Sequence, residues 1–200
     1  MGRRIGVLAL QGAFAAHARV LSQLGAESVE VRTPAALEGL DGLVLPGGES
    51  TTMSQLLDQT GLFDPLSQRL ADGLAVLGTC AGMILLASEV VDGRPDQRSF
   101  GAIDIRVRRN GYGRQRDSFE SDIDLGADGP FHAVFIRAPI VEAVGQGVEV
   151  LASFDGHPVL CRRGSITVAS FHPELSNDTR VHEQFLNTIE RQSEGNHERA

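Results

Sequence analysis

The chain has 200 residues, 42% of them apolar and 22% charged, a balance that fits a globular protein and excludes an intrinsically disordered one. The formal net charge is −8, from 26 acidic against 18 basic residues, which argues against nucleic acid as a partner because phosphate neutralisation needs a basic surface. Every basic residue is Arg, so a Schiff-base lysine, a Walker-type lysine and a lysine-anchored cofactor are all excluded.

The first half alternates apolar runs with amphipathic stretches. Residues 5–10 form a continuous apolar run, as a strand buried on both faces requires, and Gln11-Gly12 ends it. Residues 13–24 carry Phe14, Val20, Leu21 and Leu24 at helical spacing, with Gly25 as the stop. Strands are predicted over 28–32 and 42–45, the second cut off by Pro46-Gly47-Gly48. Ser50-Thr51-Thr52 is read as the cap of a helix holding Met53, Leu56 and Leu57, and residues 63–70 form another. A fourth buried strand spans 75–78, with a helix directly after it over 81–87. This rhythm implies parallel strands with helical crossovers.

The second half is richer in strands, predicted over 103–108, 117–125, 131–136, 148–153, 158–162 and 165–170. Arg163-Gly164 falls where a tight hairpin turn belongs. Residues 179–191 form a closing helix with Val181, Phe185, Leu186 and Ile189 on one face. The polar stretch 193–200 is expected to be a disordered tail. The whole reads as one α/β domain over 1–192, a mostly parallel sheet flanked by helices with antiparallel strands added in the C-terminal half. No run approaches the roughly 20 apolar residues of a membrane span, and the apolar run after Arg3 and Arg4 is too short for a secretory core. Cys80 and Cys161 lie too far apart for a disulfide framework or zinc ribbon, so a reducing cytoplasm and no membrane partner are expected.

The sharpest local signal is Gly78-Thr79-Cys80-Ala81-Gly82 between a strand and a helix. It is the nucleophile-elbow pattern with Cys in place of Ser: the glycines permit a sharp turn that lifts the sulfur to a helix N-terminus, where the dipole favours thiolate. The alternative is a structural Cys in a Gly-rich turn. A thiolate nucleophile wants a base and the base an orienter, and His172-Pro173-Glu174 offers both. If that segment is extended, residues two apart share a side, and Pro173 biases His172 toward extended geometry. A strand end with a chance His and Glu is the alternative. His17, His132, His157, His182 and His197 are assigned solvated or capping roles, and Cys161 that of a buried small hydrophobe. No ligand pair among Cys80, His172 and Glu174 has zinc-like spacing, and no metal is expected.

Pro46-Gly47-Gly48-Glu49-Ser50 is a second loop at a strand's carboxyl end, where open α/β sheets bind ligands. Its amides can form an oxyanion pocket; a phosphate-cradling loop would need a Lys or a fingerprint spacing that is missing. Arg106, Arg108, Arg109, Arg114 and Arg116 cluster around Asn110-Gly111-Tyr112-Gly113, either as a solvated face or as a grip for a carboxylate or phosphate, and Arg137 is a second anion-binding candidate.

Together these residues resemble the class I, triad-type glutamine amidotransferases, and more narrowly the family of glutaminase subunits of pyridoxal 5′-phosphate synthase. The resemblance is carried by Gly6-Val7-Leu8-Ala9-Leu10-Gln11-Gly12-Ala13, Leu45-Pro46-Gly47-Gly48-Glu49-Ser50-Thr51-Thr52, and the elbow. It continues through Asn110, Gly113-Arg114-Gln115, Asp117-Ser118-Phe119-Glu120, Phe135-Ile136-Arg137-Ala138-Pro139 and Ser170-Phe171-His172-Pro173-Glu174-Leu175. Met83 and Tyr112 stand where the pattern has Leu and Phe. The resemblance implies a flavodoxin-like class I amidotransferase fold and hydrolysis of L-glutamine to L-glutamate and ammonia, with no cofactor. It implies Cys80 as nucleophile, His172 as acid–base and Glu174 as orienter. Gly47, Gly48, Glu49 and Ser50 would line the glutamine pocket, and Arg109, Ile136 and Arg137 would hold the substrate.

The implied partner is a (β/α)8-barrel pyridoxal 5′-phosphate synthase subunit in a hetero-oligomer that receives the ammonia through an enclosed path. The alternatives are a glutaminase serving a histidine, GMP or CTP synthase, a γ-glutamyl Cys hydrolase, and a non-catalytic subunit.

Overall fold

The computed structural model describes residues 2–112 and 118–197. In chain order the first half holds Arg4–Leu8 (β1), Phe14–Gln23 (α1), Glu27–Val31 (β2), Gly42–Leu45 (β3), Ser50–Gln59 (α2), Phe63–Ala71 (α3), Ala75–Thr79 (β4) and Ala81–Leu86 (α4). The second holds Ala87–Val90 (β5), Ile103–Arg108 (β6), Ser118–Asp124 (β7), Pro130–Ile136 (β8), Ile140–Val144 (β9), Glu149–Phe154 (β10), His157–Arg163 (β11), Ile166–Ala169 (β12) and Arg180–His197 (α5).

Strands β3, β4 and β12 are buried at every residue, so they offer no face to water and belong at the centre of a sheet covered on both sides. They sit there, in a seven-stranded sheet ordered β10-β11-β12-β4-β3-β1-β2. From β12 to β2 every pairing is parallel; β10 and β11 add the antiparallel edge. The hairpin β11–β12 turns at Gly164, with φ of 57°, where Arg163-Gly164 predicts it. The hairpin β10–β11 turns at Asp155-Gly156, both left-handed (φ 50° and 77°), a dipeptide suited to such a turn that sequence reading passed over.

The two faces of this sheet bury separate cores. Leu43, Leu45, Val76 and Val168 pack on one side with Met53 and Leu57 of α2, Leu66 of α3 and Leu85 of α4. Ile5, Val44 and Leu77 pack on the other with Leu21 of α1, Phe185 and Ile189 of α5, and Phe131 and Phe135 of β8. Each fully buried side chain of this kind stabilises by about 1.5–3 kcal/mol relative to exposure. The mostly parallel architecture with antiparallel additions is therefore as the sequence implies.

Several local expectations are corrected. The cap of α2 is the carboxylate of Glu49, which accepts from the amides of Thr51 and Thr52, while Ser50 and Thr51 lie inside the first turn. Helix α4 stops at Leu86 because Ala87 opens a short strand, β5, that pairs with β6. Both β5 and β9 escape sequence reading: β5 has two exposed residues among four, and β9 is interrupted by Glu142 after Pro139. The backbone of α5 continues past 191 to His197. Gly113, Arg114, Gln115, Arg116 and Asp117, and the end of the tail from 198 on, lie outside the described residues.

Candidate active site

Strand β4 delivers Cys80 into a turn with φ 48° and ψ −103°, a conformation that costs an L-residue energy and persists only where its surroundings enforce it. The enforcement is visible. The Cys80 amide donates to the Ala169 carbonyl at 2.8 Å, tying the elbow to β12. A Cβ on Gly82 would come within 2.0 Å of the Leu45 carbonyl oxygen, and one on Gly78 within 2.5 Å of Leu86 Cδ1. No side chain fits on either flank, so the residue types around the sulfur follow from close backbone approach. Helix α4 begins at Ala81, directly beyond the sulfur, and Cys80 Sγ lies 3.8 Å from the Ile136 carbonyl oxygen.

His172 follows β12, its amide donating to the Val134 carbonyl at 2.8 Å. Its Nδ1 lies 2.7 Å from Glu174 Oε1, and its ring shares one cleft with Cys80. The expected extended geometry is replaced by a 3₁₀ turn over Pro173–Leu175, because the fixed φ of proline suits the first position of a helical turn. The turn folds Glu174 back beneath the imidazole. Burial opposes a charge on His172, but hydrogen bonds to Cys80 and Glu174, and their negative charge, push it up to about 10. Burial likewise opposes the charge on Glu174, and His17 and His172 outweigh it, holding the carboxyl below its usual range. The row can thus take a proton from sulfur, hold it at neutral pH and give it to a leaving group.

The sulfur and imidazole open onto a cleft of about 280 Å³ lined by Gln11, Gly47, Gly48, Glu49, Ser50, Cys80, Ile84, Arg109, Asn110, Ile136, Arg137 and His172. Of the ten candidates named from sequence, nine line this cleft, and Glu174 stands behind His172. Gly47 is pressed against the imidazole, since a Cβ there would lie 2.3 Å from His172 Cε1. Glu49 Oε1 accepts from Arg109 Nη2 at 2.9 Å, and Arg109 Nη1 reaches Thr51 Oγ1 at 3.1 Å. Burial opposes the charge on Glu49, but hydrogen bonds from Thr52 and Thr51 and the Arg109 charge lower its carboxyl to about 2. Arg106 and Arg108 stay out of the cleft, paired with Glu89 and Glu142 on the outer face of β6. Arg137 is exposed, in a left-handed conformation (φ 44°) just past β8.

Gln11, Ile84 and Asn110 are lining residues that sequence reading did not assign. Gln11 was findable: it lies three residues past the end of β1, at the carboxyl edge of the sheet, and its Oε1 accepts from the Glu49 amide at 2.9 Å. His17 and His182 are also corrected, since both are fully buried rather than solvated. Cys161 is buried, and burial pushes its thiol up to about 12. A larger hollow of about 490 Å³, between α5 and the β10–β11 edge, is lined by Asp128, Arg162 and Glu190 among others and holds neither thiol nor imidazole. Among the described residues no cluster has metal-holding composition, and no helix is long and apolar enough to cross a membrane.

Fold and site together define the glutamine amidotransferase class. A solved structure described as a glutamine amidotransferase superposes with a TM-score of 0.88 at 49% identity, over 92% of this chain and 98% of its own. A putative GMP synthase subunit from Thermoplasma acidophilum shares the fold at a TM-score of 0.70 and 18% identity, over 97% of each chain. Residues 7–191 match the SNO glutamine amidotransferase family, and the chain belongs to that family. Its relatives include proteins named pyridoxal 5′-phosphate synthase subunit PdxT. The one from Mycobacteroides abscessus is 58% identical over 94% of this chain and 98% of its own length. The one from Frankia alni is 55% identical over 97% and 98% respectively.

Proposed function

We propose that the protein hydrolyses L-glutamine to L-glutamate and ammonia through Cys80, His172 and Glu174, and supplies the ammonia to a (β/α)8-barrel synthase subunit that makes pyridoxal 5′-phosphate. The observation that carries the reading is the buried row Cys80–His172–Glu174 at the wall of a cleft whose other wall bears Arg109. Cys80 sulfur attacks the side-chain amide carbon, and the oxyanion is held by amides of the elbow and of the Gly47-Gly48 loop. The amide nitrogen leaves as ammonia on taking the proton held by His172, which gives a γ-glutamyl thioester. His172 then takes a proton from water as that water attacks the thioester, glutamate departs and the sulfur is regenerated. Glu174 keeps the imidazole oriented in both halves.

The pairing with a synthase follows from product chemistry. Near neutral pH free ammonia is mostly ammonium, which has no lone pair, so an enclosed transfer preserves the nucleophile. The relatives' shared name supports the pyridoxal phosphate pathway as the destination. The working unit is residues 1–192, and a catalytic thiol suits a reducing cytoplasm.

The test is glutamate release from glutamine, with and without the barrel synthase, for wild type and Cys80→Ala. Wild type should release glutamate, faster with the synthase present, and Cys80→Ala should be inert. Undiminished turnover by Cys80→Ala overturns the mechanism; stimulation by a GMP, CTP or histidine synthase instead reassigns the partner, and preference for γ-glutamyl peptides reassigns the substrate.

A further inference from the structure

Directly behind the Cys80–His172–Glu174 row lie two imidazoles that the mechanism does not use. His17 on α1 and His182 on α5 are shut off from solvent completely. Burying an imidazole deprives its nitrogens of water, so their partners have to be found within the protein. His182 Nε2 lies 2.9 Å from His17 Nδ1. His17 Nε2 lies 3.2 Å from Glu174 Oε2 and 3.2 Å from Thr79 Oγ1. With Glu174 Oε1 on His172 Nδ1, close contacts run from His182 through His17 and Glu174 to His172, which lines the cleft together with Cys80.

Partner counting fixes the protons along this file. Burial pushes His17 down and lowers His182 to about 3, which favours the neutral rings, and a neutral ring carries a single N–H. Among the described residues nothing bonds His182 Nδ1, and a proton there would be a buried donor with nothing to meet. The proton of His182 therefore sits on Nε2 and points at His17 Nδ1. That nitrogen must then accept, which leaves the proton of His17 on Nε2, facing Glu174 and the threonine next to the nucleophile. The N–H aligns with Thr79 Oγ1, and Glu174 Oε2 lies 3.2 Å from the same nitrogen, its line to it off the N–H axis; among the described residues no donor aligns with that oxygen.

We infer that His17 is a positioning residue for Glu174, holding the carboxylate ionised and turned so that Oε1 meets His172, while His182 fixes the tautomer of His17. The inference rests on the glutaminase reading above. The titratable groups around Glu174 are His17 from α1, His182 from α5, His172 beside it and Cys80 from the elbow. His17 places a ring nitrogen 3.2 Å from the oxygen that His172 does not use, with both side chains fully buried.

The test compares His17→Phe, which keeps the ring and removes both nitrogens, with His17→Gln, which returns an amide N–H. His17→Phe should lower kcat by about 10- to 100-fold, the scale of impaired acid–base catalysis, with the KM for glutamine within about twofold. Losing a donor that favours the ionised carboxylate should also move the acid limb of kcat to higher pH. His17→Gln should recover most of kcat and return the limb. Nitrogen-15 NMR of the full chain, with labelled imidazoles, should show both rings neutral and protonated on Nε2 across about pH 6 to 8. A folded His17→Phe with wild-type kcat and pH profile overturns the inference. So does an equal loss in His17→Gln and His17→Phe, which marks packing alone, or a charged or Nδ1-protonated ring in the spectra. The spectra need no turnover, so an inactive wild type would sink the glutaminase reading while the file of protons is still read.

Discussion

The two walls of the cleft are built on different principles. On the Cys80 wall, position is imposed by backbone: a left-handed cysteine, glycines whose Cβ atoms would strike Leu45 and Leu86, and a loop glycine pressed on His172. Cys80, His172 and Glu174 are each at most 7% exposed. On the Arg109 wall, position is imposed by side chains that hold one another: Glu49 caps α2 and grips Arg109, which also reaches Thr51 and Gln97. There the Glu49 side chain is 40% exposed and that of Arg109 20%. A buried charge stripped of its partner is costly, whereas an exposed pair is worth little. The reacting wall should therefore tolerate almost no change, and the recognition wall should yield by degrees.

The largest effect tests the backbone wall. Gly82→Ala places a methyl against a carbonyl oxygen that cannot swing aside, and should cost about 3 kcal/mol or more together with all glutaminase activity. Denaturant unfolding measures it, and a stability within about 0.5 kcal/mol of wild type would remove close approach as the reason for the glycine. Glu174→Gln should fold but lower kcat by about 100- to 10,000-fold, because the imidazole loses the carboxylate charge that favours its protonated form, and the amide's N–H group can turn toward it in place of an acceptor.

The same wall sets a pH dependence. His172 is raised from 6.5 to about 10 in the folded protein, so its proton stabilises the fold fully below 6.5, and that contribution is lost as pH rises toward about 10. Turnover should hold through neutral pH and decline toward pH 10, where the acid for the leaving ammonia disappears. Glu174→Gln should bring that decline to lower pH. A decline in wild type already near the ordinary histidine value would mean that the row does not hold its proton.

The backbone wall was also the more legible one. Gly-x-Cys-x-Gly between an apolar run and a helix names its own geometry, because only glycine fits where strand and helix nearly touch. His172 and Glu174 were findable as a pair, yet their turn was not, since proline is equally at home in extended chain and at a helical start. The parallel centre was legible in β3 and β4, which read as short apolar runs before their turns, whereas β12, buried at every residue, carries Thr167 and read as one more strand of the second half. The short β5 and β9 carry too few alternating residues to show a period. His17 and His182 were misread because an imidazole on an amphipathic helix gives no sign of which side it faces until a second helix, some 160 positions on, is laid beside it.

The recognition wall carries smaller predictions. Arg109→Ala should raise the KM for glutamine by about tenfold with kcat nearly unchanged, the mark of lost uniform binding. Equal losses in kcat would move Arg109 to the reacting wall. Glu49→Gln should weaken the cap of α2 by about 1 kcal/mol. Its carboxyl is lowered to about 2, so the charge stabilises fully above 4.5 and the benefit fades as pH falls toward about 2. The variant should therefore differ from wild type most at neutral pH and least in acid, as read by thermal unfolding across that range.

The smallest effect asks where α5 stops contributing. Its first turns matter to the reacting wall, for they bring His182 to His17 and seat Phe185 against the sheet. Ile189 is the last buried apolar residue of α5 among those whose burial is described; beyond it Glu190 pairs with Arg3, and Gln192 donates to the Gly73 carbonyl at 3.3 Å. The residues after that are Ser193, Glu194, Gly195, Asn196, His197, Glu198, Arg199 and Ala200, none of them a large apolar side chain. A stretch of this composition has little apolar surface to offer, so continuing a helix through it is expected to add little stability. Ending the chain after Gln192 should change stability by less than about 0.5 kcal/mol and leave kcat and KM alone. A larger loss, measured by thermal unfolding and glutamate release, would show that the far end of α5 also braces the wall that its near end supports.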